Sequence, residues 1–162
     1  MLTLRQATAD DAAALAELLN AVIALGGTTA LETPFTPSGF AEVFITGAKC
    51  RSCLMAIAED GSAAGFQLLA HEEYLPAGWA DIGSFARAQP RIRGVGKALF
   101  PETVAVARGL GLTTINATIR ADNVPGLAYY SGLGFETWKV VAGVPLLDGT
   151  PVDRIWKRYR VA

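Results

Sequence analysis

Arg91-Ile92-Arg93-Gly94-Val95-Gly96-Lys97-Ala98-Leu99 lies between a segment that reads as a strand and one that reads as a helix. Glycines at 94 and 96 remove two side chains, so main chain can approach a ligand closely and adopt positive φ where a turn demands it. The residues that follow open a helix, whose first N–H groups lack intrahelical partners and carry the positive end of the dipole. Arg91, Arg93 and Lys97 place positive charge around that end. Such a segment is suited to holding phosphates. It is not a Walker loop, which would need Gly in place of Arg91 and Ser or Thr in place of Ala98. Nor is it a dinucleotide fingerprint, whose third Gly would stand where Leu99 does.

Further along runs Asn123-Val124-Pro125-Gly126-Leu127-Ala128-Tyr129-Tyr130-Ser131-Gly132-Leu133-Gly134-Phe135. Together, Arg-x-x-Gly-x-Gly and the Asn123, Tyr130, Gly134-Phe135 spacing resemble the two signature segments of the GNAT superfamily of acetyl-CoA-dependent N-acetyltransferases. The opening Leu4-Arg5-Gln6-Ala7-Thr8-Ala9-Asp10-Asp11 resembles that family's first strand and helix start, so the likeness covers nearly the whole chain.

Periodicity supports a mixed α/β domain around one sheet. Leu2 to Gln6 alternates as a strand, and Thr8 is placed to cap a helix with Asp10 and Asp11 in its first turn. Leu15, Leu18, Leu19 and Val22 form one apolar helical stripe, ended by Gly26-Gly27. Thr36-Pro37 caps a second helix, expected to run to about Ala48. Asp60-Gly61 turns a hairpin between Leu54–Glu59 and Ala63–Ala70. Trp79 to Arg87 reads as a strand, Val95 to Gly109 as a helix with a kink at Pro101, and Thr113 to Arg120 as a strand. A short helix over Asn123 to Gly132 precedes a final pair, Phe135 to Val141 and Val152 to Val161, joined through Asp148-Gly149. The resulting order, β-α-α-β-β-β-α-β-α-β-β, is that of the GNAT fold. The resemblance implies one domain over residues 1–162, with a central mixed sheet whose fourth and fifth strands splay.

With 162 residues, 51% of them hydrophobic, the chain is large enough to bury a sizeable core. A formal net charge of −1 disfavours a nucleic-acid partner. No apolar run approaches the roughly 18 residues of a membrane span, and the first residues do not read as a secretory leader. A cytoplasmic location is expected. Cys50 and Cys53, with His71 as the one histidine, are too few for a zinc site. Cys53 leads into a strand rather than a helix, so the pair reads as ordinary thiols and not as a redox motif. His71, between turn-like polar residues, reads as a surface side chain, and no metal is expected.

The resemblance also implies chemistry. The main-chain amides from Ile92 through Gly94, Val95 and Gly96 to Lys97 would hold the pyrophosphate of acetyl-CoA, with Arg91 and Arg93 as charge partners. Pantetheine would pair with main chain around Phe85, Ala86 and Arg87, and an amide near Phe85 or Ala86 would polarise the thioester carbonyl. Tyr130 would protonate the departing thiolate, because a phenol near pKa 10 stays protonated at neutral pH; Tyr129 reads as packing. Asn123 would bind the pantetheine arm, cap the short helix, or both. The family's base falls on Ala80 by a count without gaps and on Asp81 if the preceding loop is one residue shorter; Glu32, Glu73 or a water chain are alternatives. The acceptor pocket would draw on Asn20, Thr28, Thr29, Glu32, Phe35, Trp79 and Val144 to Asp148, and its loop loosely resembles that of phosphinothricin-type acetyltransferases. The implied reaction is direct acetyl transfer to a primary amine of a small molecule, without an acetyl-cysteine intermediate. Peptide N-termini as acceptors, and a non-catalytic CoA-binding domain, are the alternatives. A homodimer is compatible with the family.

Overall fold

A computed structural model describes residues 1–162. Its seven strands are β1 (Thr3–Gln6), β2 (Cys50–Ile57), β3 (Ala63–Ala70), β4 (Trp79–Ala86), β5 (Thr114–Arg120), β6 (Glu136–Pro145) and β7 (Pro151–Arg160). Four helices, α1 (Ala12–Leu25), α2 (Pro37–Phe44), α3 (Val95–Gly109) and α4 (Val124–Leu133), connect them in the expected order. The strands form one sheet, β1-β2-β3-β4-β5-β7-β6, in which only the β4–β5 neighbours run parallel.

Local chemistry sets most boundaries. Asp11 accepts hydrogen bonds from the Thr8 N–H and from both terminal nitrogens of Arg5, closing a short 3₁₀ turn, Ala9–Asp11, ahead of α1. The Arg5 guanidinium pulls the Asp11 carboxyl down to about 2. Thr36 caps α2 through the Gly39 N–H, with Pro37 in the first turn. That helix ends at Phe44, short of the expected Ala48, because the Ile45 and Thr46 N–H groups both turn to the Ala41 carbonyl. In turn β2 starts at Cys50, earlier than its hydrophobic run suggests, and takes in both cysteines. Pro101 does not divide α3, which is one helical segment from Val95 to Gly109 with the proline on its exposed side. No helix is long and apolar enough to cross a membrane.

Apolar layers cover both faces of the sheet. The α1 stripe packs with Phe40 and Phe44 of α2 against Phe66 and Leu68 of β3. On the other face, Phe100 and Val104 of α3 meet Ile115 and Ala117 of β5 together with Tyr130 and Phe135. Val95 and Leu99 fill a third cluster over β2 and β3.

The break in the sheet positions the site. β4 and β5 pair only from Trp79 with Thr114 to Asp81 with Asn116. Past that rung β5 continues to pair with β7 as far as Arg120, and β4 with β3 as far as Ala86. The facing edges of β4 and β5 therefore part beyond Asp81, as the splayed-strand expectation requires.

Candidate active site

Two cavities meet at this divergence. The larger, about 870 Å³, follows the main chain from Ser84 through Lys97 and is closed by the start of α4 and by Tyr129. Gly94 holds φ +81° immediately before α3, a left-handed conformation that a side chain would strain. No side chain caps α3, and its first intrahelical bond joins Ala98 N–H to the Gly94 carbonyl. The N–H groups of Val95, Gly96 and Lys97 are left without helical partners, which makes an anion cradle. Arg91, Arg93 and Lys97 are exposed around it and join no ion pair. Val95 is buried in the core beneath and Ile92 packs against it in part, while both line this end of the groove. Gly96 has a reason the sequence did not reveal: a Cβ there would lie 2.7 Å from the Tyr129 ring.

Along β4 the peptide groups alternate in direction. Arg87 N–H donates to the Ala64 carbonyl at 2.9 Å, so Arg87 and Phe85 turn their peptides toward β3. Those of Ser84 and Ala86 face the opened edge. This corrects the expectation that Phe85 and Arg87 offer main-chain pairing; of the three residues only Ala86 does. The Arg87 side chain instead braces the loop, donating to Ser62 Oγ at 2.6 Å and to the Pro90 carbonyl at 2.9 Å. Phe85 stacks on Phe66 and contributes a wall to both cavities.

Tyr130 is 7% exposed, and its hydroxyl donates to Ser84 Oγ at 2.8 Å. Ser84 Oγ also accepts from Gln67 Nε2, which donates in addition to the Tyr129 hydroxyl. Tyr129 in turn donates to the Gly96 carbonyl at 2.8 Å. A chain of polar groups thus runs from Tyr130 to the first turn of α3. Tyr129 is more than packing, since it ties α4 to the anion cradle. Burial pushes the Tyr130 phenol up, more than Ser84 pulls it down, so it stays protonated. Neither Ser84 nor Gln67 belongs to a motif; strand alternation beside a polar site was their only sequence signal.

The second cavity, about 530 Å³, lies on the α1/α2 side and shares Thr28, Ser84, Phe85 and Asn123 with the first. Thr29 and Phe35 line it, together with Asp81, Arg120 and Tyr130. Burial raises the Asp81 carboxyl to about 7, against the opposing pull of a hydrogen bond from Asn116 and with a further push from Glu72. Arg120 is engaged by Asp122 at 2.7 Å and by the Thr29 carbonyl. Asn123 accepts the Gly126 N–H as the α4 cap and donates to the Thr28 carbonyl, so both ends of its amide are occupied.

Several expected acceptor residues fall outside this cavity's lining. Glu32 accepts the Leu147 N–H at 3.0 Å and pins the β6–β7 turn. Trp79 packs edge-on to Trp138, 5.1 Å between ring centres. Glu73 and the Val144 to Asp148 turn are also absent from it, and Asn20 acts indirectly, bracing Phe35 through both its N–H and its carbonyl. Burial pushes the Cys53 thiol up to about 12, and neither cysteine lines either cavity. No group of three or more His, Cys, Asp or Glu side chains is arranged to hold a metal.

Comparison with known proteins joins these features. Residues 27–135, which contain both signature segments, match the model of the Acetyltransferase (GNAT) family. The chain is 30% identical over 156 residues, 94% of each sequence, to the Bacillus subtilis (strain 168) protein named "Putative phosphinothricin acetyltransferase YwnH". A crystal structure described as "a putative phosphinothricin N-acetyltransferase" superposes with a TM-score of 0.87 at 28% identity, covering 100% of this chain and 99% of that one. A Sinorhizobium meliloti phosphinothricin acetyltransferase in complex with AcCoA shares the fold at a TM-score of 0.84 and 22% identity, over 98% of this chain and 88% of its own. A helix start with free amides, a sheet opened after Asp81 and a tyrosine at the opening are the parts this fold assembles, and the chain belongs to the GNAT family of acetyltransferases.

Proposed function

We propose that this protein transfers acetyl from acetyl-CoA directly to the primary amine of a small, amino-acid-like molecule. One observation carries the reading: Tyr130 and Asp81 line a single cavity that opens into the anion-binding groove at Ser84 and Phe85.

The groove suits the cosubstrate. The free amides of Val95, Gly96 and Lys97 suit a pyrophosphate, and the outward peptides of Ser84 and Ala86 suit a pantetheine amide and a thioester oxygen. Bound acetyl-CoA supplies an activated acyl group. The chain's own residues then manage two protons. Asp81, near 7, is ionised in a large fraction of molecules at neutral pH and takes a proton from the acceptor ammonium, directly or through water. Tyr130, protonated throughout, gives its proton at the thiolate side. Ser84 accepts two hydrogen bonds and donates to no protein group, so its own O–H is free to turn to the phenolate that Tyr130 leaves. Arg91, Arg93 and Lys97 add long-range attraction for the phosphates. The small-molecule acceptor is supported by the enclosed cavity and by the names of the relatives.

A thiol-release assay with acetyl-CoA against phosphinothricin, amino acids, other amines and peptides tests this. Turnover with an amino-acid-like amine, lowered at least tenfold in Tyr130→Phe and deprived of its acid limb in Asp81→Asn, is the expected result. CoA binding with no turnover on any amine would overturn it in favour of a binding domain. Preference for peptides would overturn the acceptor class.

A further inference from the structure

Asn116 stands opposite Asp81 in the last rung of the β4–β5 pairing and is fully buried. An indole N–H can only donate, so Trp138 Nε1, 2.8 Å from Asn116 Oδ1, decides which end of that amide is oxygen. The other end, Nδ2, must then face Asp81 Oδ1 at 2.8 Å and Thr118 Oγ1 at 3.1 Å. Trp138 is itself held edge-on between Trp79 and Trp156, at 5.1 and 5.7 Å between ring centres. The donor is therefore fixed by packing before any ligand arrives. Asn116 provides the one protein hydrogen bond that Asp81 side-chain oxygens receive, which leaves its second oxygen for the cavity.

We propose that Asn116, oriented by Trp138, is a positioning residue that turns the free oxygen of Asp81 toward the acceptor amine and stabilises its negative charge. This rests on the reading of Asp81 as the proton acceptor. The charged and titratable groups around Asp81 give no substitute for it. Glu72 and Tyr74 approach from the β3–β4 connection, and Glu42 from α2 lines the same cavity. Lys49 is paired with Glu72, Arg120 of β5 with Asp122, and Arg158 of β7 with Glu136. Tyr130 of α4 is neutral. No cation bonds to Asp81, so burial and Glu72 oppose its charge while the Asn116 N–H favours it. Losing that N–H moves the carboxyl in one direction only.

The test follows the Asp81 side-chain carboxyl by ¹³C NMR across a pH titration of the ligand-free protein, with Asp81→Asn assigning the signal. Asn116→Leu should raise its midpoint by about one to two pH units, the size of a lost charge-assisted hydrogen bond. Trp138→Phe, which frees the Asn116 amide to rotate, should raise it by less. A midpoint unchanged in both folded variants would overturn the inference. If Asn116→Leu fails to fold, an unchanged Trp138→Phe does so alone. The two readings fail separately. Wild-type turnover and an intact acid limb in Asp81→Asn would remove the proton-acceptor role, whereas a fixed midpoint beside an inactive Asp81→Asn would remove only the role of Asn116.

Discussion

The groove over α3 and the cavity beneath the α1–α2 connection are built from different materials. The groove is made of main chain: three helix-start amides, two outward peptides of β4 and a left-handed Gly94. The cavity is made of side chains from α1–α2, β4, β5 and α4 that meet only in three dimensions. Peptide chemistry is the same for every sequence that adopts the backbone, so a short motif describes it. Side-chain chemistry depends on which residues arrive together, and no single segment holds that information. Tyr130 lines the cavity and touches the groove only through its hydrogen bond to Ser84, which lines both.

The comparison can be broken first at Tyr130. Tyr130→Phe should lower kcat roughly ten- to ten-thousand-fold, the span for losing a general acid. Calorimetry should find acetyl-CoA affinity nearly unchanged. A large loss of affinity would mean that the phenol belongs to the groove alone.

Gly96→Val tests the main-chain side. Its branched side chain meets the Tyr129 ring, and overpacking of this kind weakens acetyl-CoA binding about ten- to a hundredfold. Adding Tyr129→Ala should restore part of the affinity. No restoration would show that Gly96 is small for the ligand and not for the tyrosine.

Asp81 offers a measurement of the cavity without substrate. Its carboxyl titrates near 7 in the fold against the ordinary 3.8, so the folded protein holds a proton that the unfolded chain has released between those values. This contribution to stability is complete below about pH 4 and is lost as pH rises through 7. Urea unfolding should therefore show stability falling by about 3 kcal/mol from pH 5 to pH 8. Asp81→Asn should flatten that slope. The Asp11–Arg5 pair acts in the opposite sense, but Asp11 titrates near 2, outside this window.

The smallest effect belongs to the exposed cations. Replacing Lys97, Arg91 or Arg93 singly with Ala should weaken acetyl-CoA binding only about two- to fivefold, since each is a screened surface charge. The loss should shrink further in high salt. A larger, salt-independent loss would mean a direct bond in which side chain outweighs main chain.

Legibility in the sequence followed the same division. The strand and helix order, the hairpin at Asp60-Gly61, the α4 cap at Asn123 and the cradle at Gly94 all rest on short-range rules, and the structure contains them. Which of Phe85, Ala86 and Arg87 turns its peptide to the opened edge depends on register, which a sequence does not print. Trp79 and Glu32 have the chemistry of an acceptor pocket, but tertiary packing engages them with Trp138 and with the Leu147 N–H. The roles of Ser84, Gln67 and Asn116 are not legible in the sequence, because a polar residue within a strand acquires meaning only from what lies across from it.

The connection between α1 and α2 is fastened mainly through its own backbone. Carbonyls of Thr28, Thr29 and Phe35 receive donors from Asn123, Arg120 and Asn20, and the Phe35 N–H is held by Asn20 as well. The Thr28 and Thr29 hydroxyls add local bonds to the Val22 carbonyl and from the Leu31 N–H, whereas Ala30 and Leu31 contribute no side-chain hydrogen bond. Mutations at Ala30 or Leu31 can redraw one wall of the cavity while the four backbone tethers persist. Divergence toward new amines can then proceed in small steps, each leaving a folded enzyme for selection to act upon.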